Sequence, residues 1–372
     1  MNAPIPILFL WTRISGYMSS CWRQLSEMPE LDVHVIARRP QHSRDQAPFS
    51  DRVVNGFQAT LLAADEAKPE QRIREAVARH APRVVVVAGW AQPVYNRIAR
   101  ELRDAGCRVV MTMDTPWRGD ARQVAGTLVL RRSLRHVDHV VVASERAWQY
   151  AKRLGFQERN ISRGLYAWDE QTFGDVADHR LSNTTHWPRN FLFVGRYVEE
   201  KGLDVMVEAY RQYRQSVDSP WPLTCCGCGP LQSMLRGEEG ICDRGFVQPD
   251  ELPDVLLQHG VFVLPSRYEP WGVAMAEAMG TGMPVICSEA CGAGIELHQH
   301  LWTGWRVATG DPHSLAHALA NAHCNLRRLP EIAKHCKYAA SAVTHTQWAR
   351  RWRILLEDVY LTRNMKAGMP QS

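Results

Sequence analysis

Short apolar runs recur along this chain, each ended by a glycine, a proline or a polar cluster. In the first half they are residues 7–10, 33–37, 84–88, 108–113 and 139–143. Runs this short suit buried strands rather than helices. Between them, residues 18–28, 72–80, 96–105 and 128–136 carry a helical pattern, and Gly106 stops the third of these. Strands alternating with helices predict a parallel, doubly wound α/β sheet. The pattern restarts at 190–194 and continues through a helix at 203–214 and strands at 223–226 and 261–264. It closes with a strand at 304–307 and a helix starting at Asp311-Pro312. Residues 174–189, GDVADHRLSNTTHWPR, are polar without a clear period and read as a linker. Near the end, Trp348, Trp352, Leu355, Leu356 and Val359 share one helical face. The expected organisation is a Rossmann-like domain at 1–174, a linker at 175–189, a second such domain at 190–344 and a terminal helix with its tail at 345–372. A ligand cleft is expected between the two domains.

Composition narrows the reading without naming a function. The chain has 372 residues, 45% hydrophobic and 22% charged, as in ordinary globular proteins. A net charge of +5 suits an anionic ligand but is too small to argue for nucleic acid. The opening MNAPIPILFLWTRISGY lacks a basic leader and is broken by Arg13 and Gly16, so no signal peptide is expected. No apolar run approaches the ~18 residues of a membrane-crossing helix. Ten irregularly spaced cysteines read as reduced thiols of a cytoplasmic protein. Cys225, Cys226 and Cys228 have no second ligand pair at zinc spacing, so no metal is expected there. The expected helix at 128–136 carries Arg131, Arg132 and Arg135, a pattern that can rest on an anionic membrane surface, and a solvated charged face is the simpler reading.

The chemistry centres on residues 261–286, VFVLPSRYEPWGVAMAEAMGTGMPVI. They read as strand, loop, helix and strand, a parallel crossover unit. Glu269 lies in the loop, and Glu277 lies eight residues on, roughly two helical turns along. That separation is too long for both carboxylates to act on one bond. It suits two ends of an extended ligand. The helix start offers free N–H groups and positive dipole to a phosphate. A carboxylate beside phosphate is tolerable where it accepts hydrogen bonds from hydroxyls. The ligand so described joins phosphate to polyol, as a nucleotide sugar does. Upstream, Gly195-Arg196-Tyr197-Val198-Glu199-Glu200-Lys201-Gly202 follows a strand and opens a helix. Arg196 can fork onto two phosphate oxygens, and Lys201 adds a point charge. Preplaced cations of this kind stabilise a departing diphosphate. No Asp-x-Asp metal motif occurs in the chain.

These motifs resemble those of retaining glycosyltransferases of family 4, with the E-x7-E signature at Glu269 and Glu277 and the G-R…K-G element at 195–202. The match runs in order through about residues 190–320 and down to Gly310-Asp311-Pro312, and the first half matches in outline. The resemblance implies a GT-B fold, two Rossmann-like domains facing across a cleft, with the last helix crossing back to the first. It implies a retaining, metal-independent hexosyltransferase, without cofactor, moving sugar from a nucleoside-diphosphate donor to a glycan, lipid-linked or small-molecule acceptor. Glu269, Arg196 and Lys201 would be catalytic. Glu277 would bond the ribose, and Gly16, Gly195, Gly229, Phe246, Val247, Pro270, Trp271, Gly272 and Val273 would line the donor site. Gly16 stands alone where the family carries a glycine pair. Asp114 occupies a strand end where relatives often place histidine. With Trp90 and Trp117 it is the candidate contact for the acceptor, and each has a bland alternative: a turn aspartate and packed indoles. The expected site is cytoplasmic, with peripheral contact at the inner membrane face. The rival readings are a GT-B epimerase or hydrolase and a non-catalytic nucleotide-sugar binder.

Overall fold

The computed structural model describes residues 3–39, 48–63, 66 and 69–367. They form two compact units, which exchange at Ala167/Trp168 and again at Thr344/His345.

The first unit holds a seven-stranded parallel sheet. Its strands are β1 (Ile5–Arg13), β2 (Leu31–Arg38), β3 (Gln58–Leu62), β4 (Val84–Ala88), β5 (Arg108–Met113), β6 (His139–Val142) and β7 (Ile161–Arg163). Their spatial order is β3-β2-β1-β4-β5-β6-β7. The order in which successive strands are added therefore reverses between β1 and β4, which run parallel with Leu8 paired to Val85 and Leu10 to Val87. Ligand sites in open α/β sheets lie outside the strand C-termini at such a reversal. Helices α1 (Gly16–Ser26), α2 (Pro69–His80), α3 (Pro93–Asp104), α4 (Ala121–Ser133) and α5 (Glu145–Arg153) connect the strands. The expected helix at 128–136 is in fact α4, which begins earlier because Asp120 caps it: its Oδ1 accepts from the Gln123 N–H at 2.8 Å. Gly126 inside it does not end it, although glycine reads as a break.

The second unit repeats the plan with six strands in the order β10-β9-β8-β11-β12-β13. These are β8 (Phe191–Val194), β9 (Leu223–Cys226), β10 (Ile241–Gly245), β11 (Val261–Leu264), β12 (Val285–Ser288) and β13 (Gly304–Val307). Around them lie α6 (Glu170–Ser182), α7 (Leu203–Ser216), α8 (Leu252–Leu257), α9 (Val273–Gly280), α10 (Gly292–Glu296), α11 (Pro312–Cys324) and α12 (Leu329–Ala340). Here the reversal lies between β8 and β11, and Phe191 pairs with Val261.

Two expectations change. The stretch at 174–189 is not a bare linker: α6 runs through Ser182 and buries Phe173, Val176, Ala177 and Arg180. Arg180 disguised the pattern. Its guanidinium donates to the carbonyls of Thr281 (3.0 Å), His259 (2.7 Å) and Leu256, so a nominally surface residue joins the core. Burial lowers its pKa to about 10. Gly292-Ala293-Gly294, whose two glycines read from sequence as a flexible loop, instead starts α10.

The last helix, α13 (His345–Ala367), belongs to the first unit and packs along α1. Trp348, Trp352, Leu356 and Val359 are buried there, and the Trp352 ring lies 5.7 Å from Phe9 of β1. Burying such aromatic side chains stabilises by roughly 2–3 kcal/mol each. The tail at 368–372 lies outside the described residues.

Candidate functional site

The site in the second unit is assembled by backbone contacts between three stretches distant in sequence. Val194 ends β8, and Gly195 and Arg196 follow, with Arg196 exposed. Glu199–Lys201 make one 3-10 turn into α7. Gly202 takes φ +68°, and a Cβ there would sit 2.4 Å from the Pro265 carbonyl at the end of β11. Only glycine permits that approach. It lets the Glu200 carbonyl accept from the N–H groups of Arg267 (2.8 Å) and Tyr268 (3.0 Å). The loop after β11 is thereby held against the start of α7.

That clamp brings Lys201 to Glu269. The ammonium and the Glu269 carboxylate form an ion pair, with Glu269 8% exposed. The Ser266 hydroxyl donates to the same carboxylate oxygen at 3.3 Å. Arg267 binds Asp204 through both terminal nitrogens, tying loop to helix a second time. On the other side, the Gly292 N–H donates to Glu269 O (3.0 Å) and Ala293 N–H to Trp271 O (2.8 Å). Pro270, Trp271 and Gly272 are fixed between these anchors. Gly272 takes φ +109° and caps the N-terminus of α9, with Val273 as its first residue. The buried Trp271 indole N–H has no hydrogen-bond partner among the described residues.

Glu277 lies one turn further along α9, half-buried. Burial pushes its carboxyl up to about 7, and the nearby Asp169 adds in the same direction. Asp169 itself caps α6, accepting from the Gln171 and Thr172 N–H groups at 3.0 Å. Around the other strand ends, Gly229 follows β9 beside Tyr197, whose N–H reaches the Cys228 carbonyl at 2.8 Å. Phe246 and Val247 follow β10, both half-buried. Cys225 and Cys226 are strand residues of β9, and burial raises both thiols. Among the described residues no group of three His, Cys, Asp or Glu side chains is placed to hold a metal ion.

The first unit places its candidates differently. Gly16 is the first residue of α1, just past β1. Trp90, after β4, meets the Tyr150 ring edge-on at 5.8 Å. Trp117 lies 5.3 Å from the same ring, and the Arg153 guanidinium sits 4.8 Å over its face. Both indoles are thus engaged in packing. Asp114, after β5, accepts from the Tyr166 hydroxyl at 2.9 Å, and Tyr166 meets Tyr17 edge-on at 5.7 Å. Tyr17 and Tyr166 join Gly16 to Asp114 across the sheet's end. Neither was singled out from sequence, nor were Asp204, Arg267 and Asp169. Their partners lie too far away in the chain for spacing to show.

Two family models match consecutive parts of the chain: a glycosyl transferase 4-like domain over residues 15–163 and glycosyl transferases group 1 over residues 188–325. The chain belongs to the GT4-like glycosyltransferases. Its fold is GT-B. HepE of Anabaena, in complex with UDP and glucose, superposes with a TM-score of 0.71 at 14% identity, over 95% of this chain and 99% of that one. Sucrose-phosphate synthase from Thermosynechococcus elongatus gives 0.73 at 16% identity, over 96% and 99%. In sequence, this GT4-like chain is 27% identical over 361 residues to the putative teichuronic acid biosynthesis glycosyltransferase TuaC of Bacillus subtilis, covering 83% of the chain and 86% of the relative. It is 34% identical over 150 residues to the amylovoran biosynthesis glycosyltransferase AmsK of Erwinia amylovora, covering 37% of the chain and only 36% of the relative. No described helix is long and apolar enough to cross a membrane.

Proposed function

We propose that this chain transfers a hexosyl group from a nucleoside-diphosphate sugar to an acceptor hydroxyl, with retention of anomeric configuration and without a metal. The observation that carries the reading is the Lys201–Glu269 ion pair, held beside the N-terminus of α9 at the reversal of the second sheet. A cation, a helix N-terminus and a hydroxyl-accepting carboxylate stand together there, the set a sugar diphosphate requires.

In this reading Lys201 and Arg196 hold the diphosphate as its negative charge grows. Glu269 accepts from hydroxyls of the donor sugar, and Glu277 accepts from the ribose. Gly195, Gly229, Phe246, Val247 and the loop 270–273 shape the donor pocket of the second unit. The acceptor hydroxyl attacks from the side the diphosphate leaves, and a phosphate oxygen takes its proton. The glycosidic bond to the donor breaks and the new one forms on one face, which preserves configuration. The acceptor is a glycan, a lipid-linked saccharide or a small molecule. The names of the relatives, concerned with teichuronic acid and amylovoran biosynthesis, favour a glycan acceptor.

A panel of nucleotide sugars in a thermal-shift assay tests the donor class, since the binding ligand raises the melting temperature. Turnover with that donor should survive a chelator, and the product should keep the donor's anomeric configuration in its proton NMR spectrum. Loss of turnover with chelator, or an inverted product, refutes the mechanism. Free sugar or an epimer formed without acceptor points instead to the hydrolase or epimerase.

A further inference from the structure

Helix α4 of the first unit carries both clustered basic charge and exposed apolar surface. Across residues 118–136, Arg118, Arg122, Arg131, Arg132 and Arg135 face the single acid Asp120, a net +4 in a chain whose formal charge is +5. The inner side of α4 is anchored: Leu134 is buried and Leu130 half-buried against a core that includes Met111, Val140 and Tyr150. Its outer side should then be polar, as on any helix lying over a core. It is not. Val124 is 54% exposed, and Leu128 and Val129 are each 70% exposed. Positions 124, 128 and 132 follow one another a turn apart along this outer face. Among the described residues eight large apolar side chains are exposed, and these three share one helix.

Arginines flank the apolar strip at both ends, Arg118 and Arg122 before it and Arg131, Arg132 and Arg135 after it. Arg131 is partly occupied, its Nε donating to the Arg153 carbonyl at 2.8 Å. At the C-terminal end of α4 a groove of about 730 Å³ opens toward the end of α3, lined chiefly by Arg100, Arg103, Asp104, Arg132, Arg135 and His136. Arg103 is paired with Asp138 at 3.0 Å, and the other three arginines of the groove are exposed. The groove therefore keeps a positive excess of the right sign for a phosphate.

We propose that the outer face of α4 docks on an anionic membrane surface. Val124, Leu128 and Val129 enter the boundary of the acyl chains, and the flanking arginines with the groove receive lipid phosphates. An apolar strip between cations matches an interface that is apolar below and anionic above. This surface does not depend on the sugar chemistry, and its test needs no turnover.

The full chain is floated with vesicles of phosphatidylcholine alone and of phosphatidylcholine with phosphatidylglycerol in equal parts. It should rise with the anionic vesicles only, and less as salt increases. Leu128→Glu and the double variant Arg132→Glu/Arg135→Glu should each lower the bound fraction at least ~tenfold, given ~1 kcal/mol per basic residue near such a surface. Their circular dichroism melts should match the parent, because these positions face water. Failure of the parent to float overturns the proposal, as does undiminished flotation of Leu128→Glu. A parent that is dimeric by size exclusion, and monomeric as Leu128→Glu, also overturns it by naming a second copy as the occupant.

Discussion

The two sheets follow one plan yet prepare their strand ends in opposite ways. In the second unit, the ends of β8 and β11 carry charges held in place by backbone: Gly202 against Pro265, Glu200 against Arg267 and Tyr268, Gly292 against Glu269. In the first, the ends of β4 and β5 carry aromatic rings packed on Tyr150 and an aspartate bonded to Tyr166. A charged site needs rigid positioning, since an ammonium displaced by an ångström loses much of its effect on a developing anion. A packed aromatic site needs only volume, and the same volume is available to many sequences. The first arrangement leaves a motif, and the second leaves almost none.

The contrast can be broken most severely at Lys201. Lys201→Ala should lower kcat/KM by ~10³, about 4 kcal/mol of transition-state stabilisation, in a chain that still folds but melts at a lower temperature, because the buried Glu269 carboxylate loses its cation. Activity within tenfold of the parent would remove the cation from the mechanism. Gly202→Ala comes next and should act through structure. Its methyl meets the Pro265 carbonyl at a positive φ, so a loss of about 3 kcal/mol in denaturant unfolding is expected, with donor binding weakened too. Trp117→Ala should cost about 2 kcal/mol of stability, from lost contacts with Tyr150 and Arg153, while Trp117→Phe keeps the parent's acceptor KM. If Trp117→Phe instead raises KM for acceptor at unchanged stability, the indole serves the acceptor.

The smallest effect tests Glu277 through pH. Its folded pKa, about 7, lies above the ordinary carboxyl value of 4.5. The folded state therefore holds the proton more tightly. This group's contribution to stability is present below pH 4.5 and is lost as pH rises toward 7. The ionised form is the better acceptor for ribose hydroxyls. Affinity for a nucleotide sugar should then rise ~tenfold between pH 6 and 8, following the ionised fraction, with a proton released on binding. Glu277→Gln should flatten that dependence in calorimetric titration. A slope that persists in the variant places the titrating group elsewhere.

Much of this was legible in the chain itself. The central strands announce themselves because both faces are buried, so β1, β4, β8 and β11 are continuous apolar runs. Edge strands did not: β3 (QATLL), β7 (ISR) and β10 (ICDRG) are short, partly exposed and polar, and no apolar run marks them. Helix α6 was hidden because Arg180 finds carbonyl partners contributed by α8 and α9, a satisfaction no local pattern records. The charged candidates Arg196, Lys201, Glu269 and Glu277 could be named because they stand at fixed spacing in two short motifs, and of these the structure joins Lys201 to Glu269. The Tyr17–Tyr166–Asp114 set could not, because it joins three strand ends far apart in sequence.

Under the proposed mechanism, the Lys201–Glu269 pair has a consequence for how ligands are distinguished. Each charge of the pair answers the other, so neither is offered freely to passing solutes. A lone sugar meets a carboxylate already occupied, and a lone phosphate meets an ammonium already neutralised. A molecule carrying both groups can exchange partners in one event, taking the ammonium with its pyrophosphate and releasing the carboxylate to its own hydroxyls. In the proposed mechanism the couple therefore works as a two-key lock, in which recognition of the sugar is conditional on recognition of the anion.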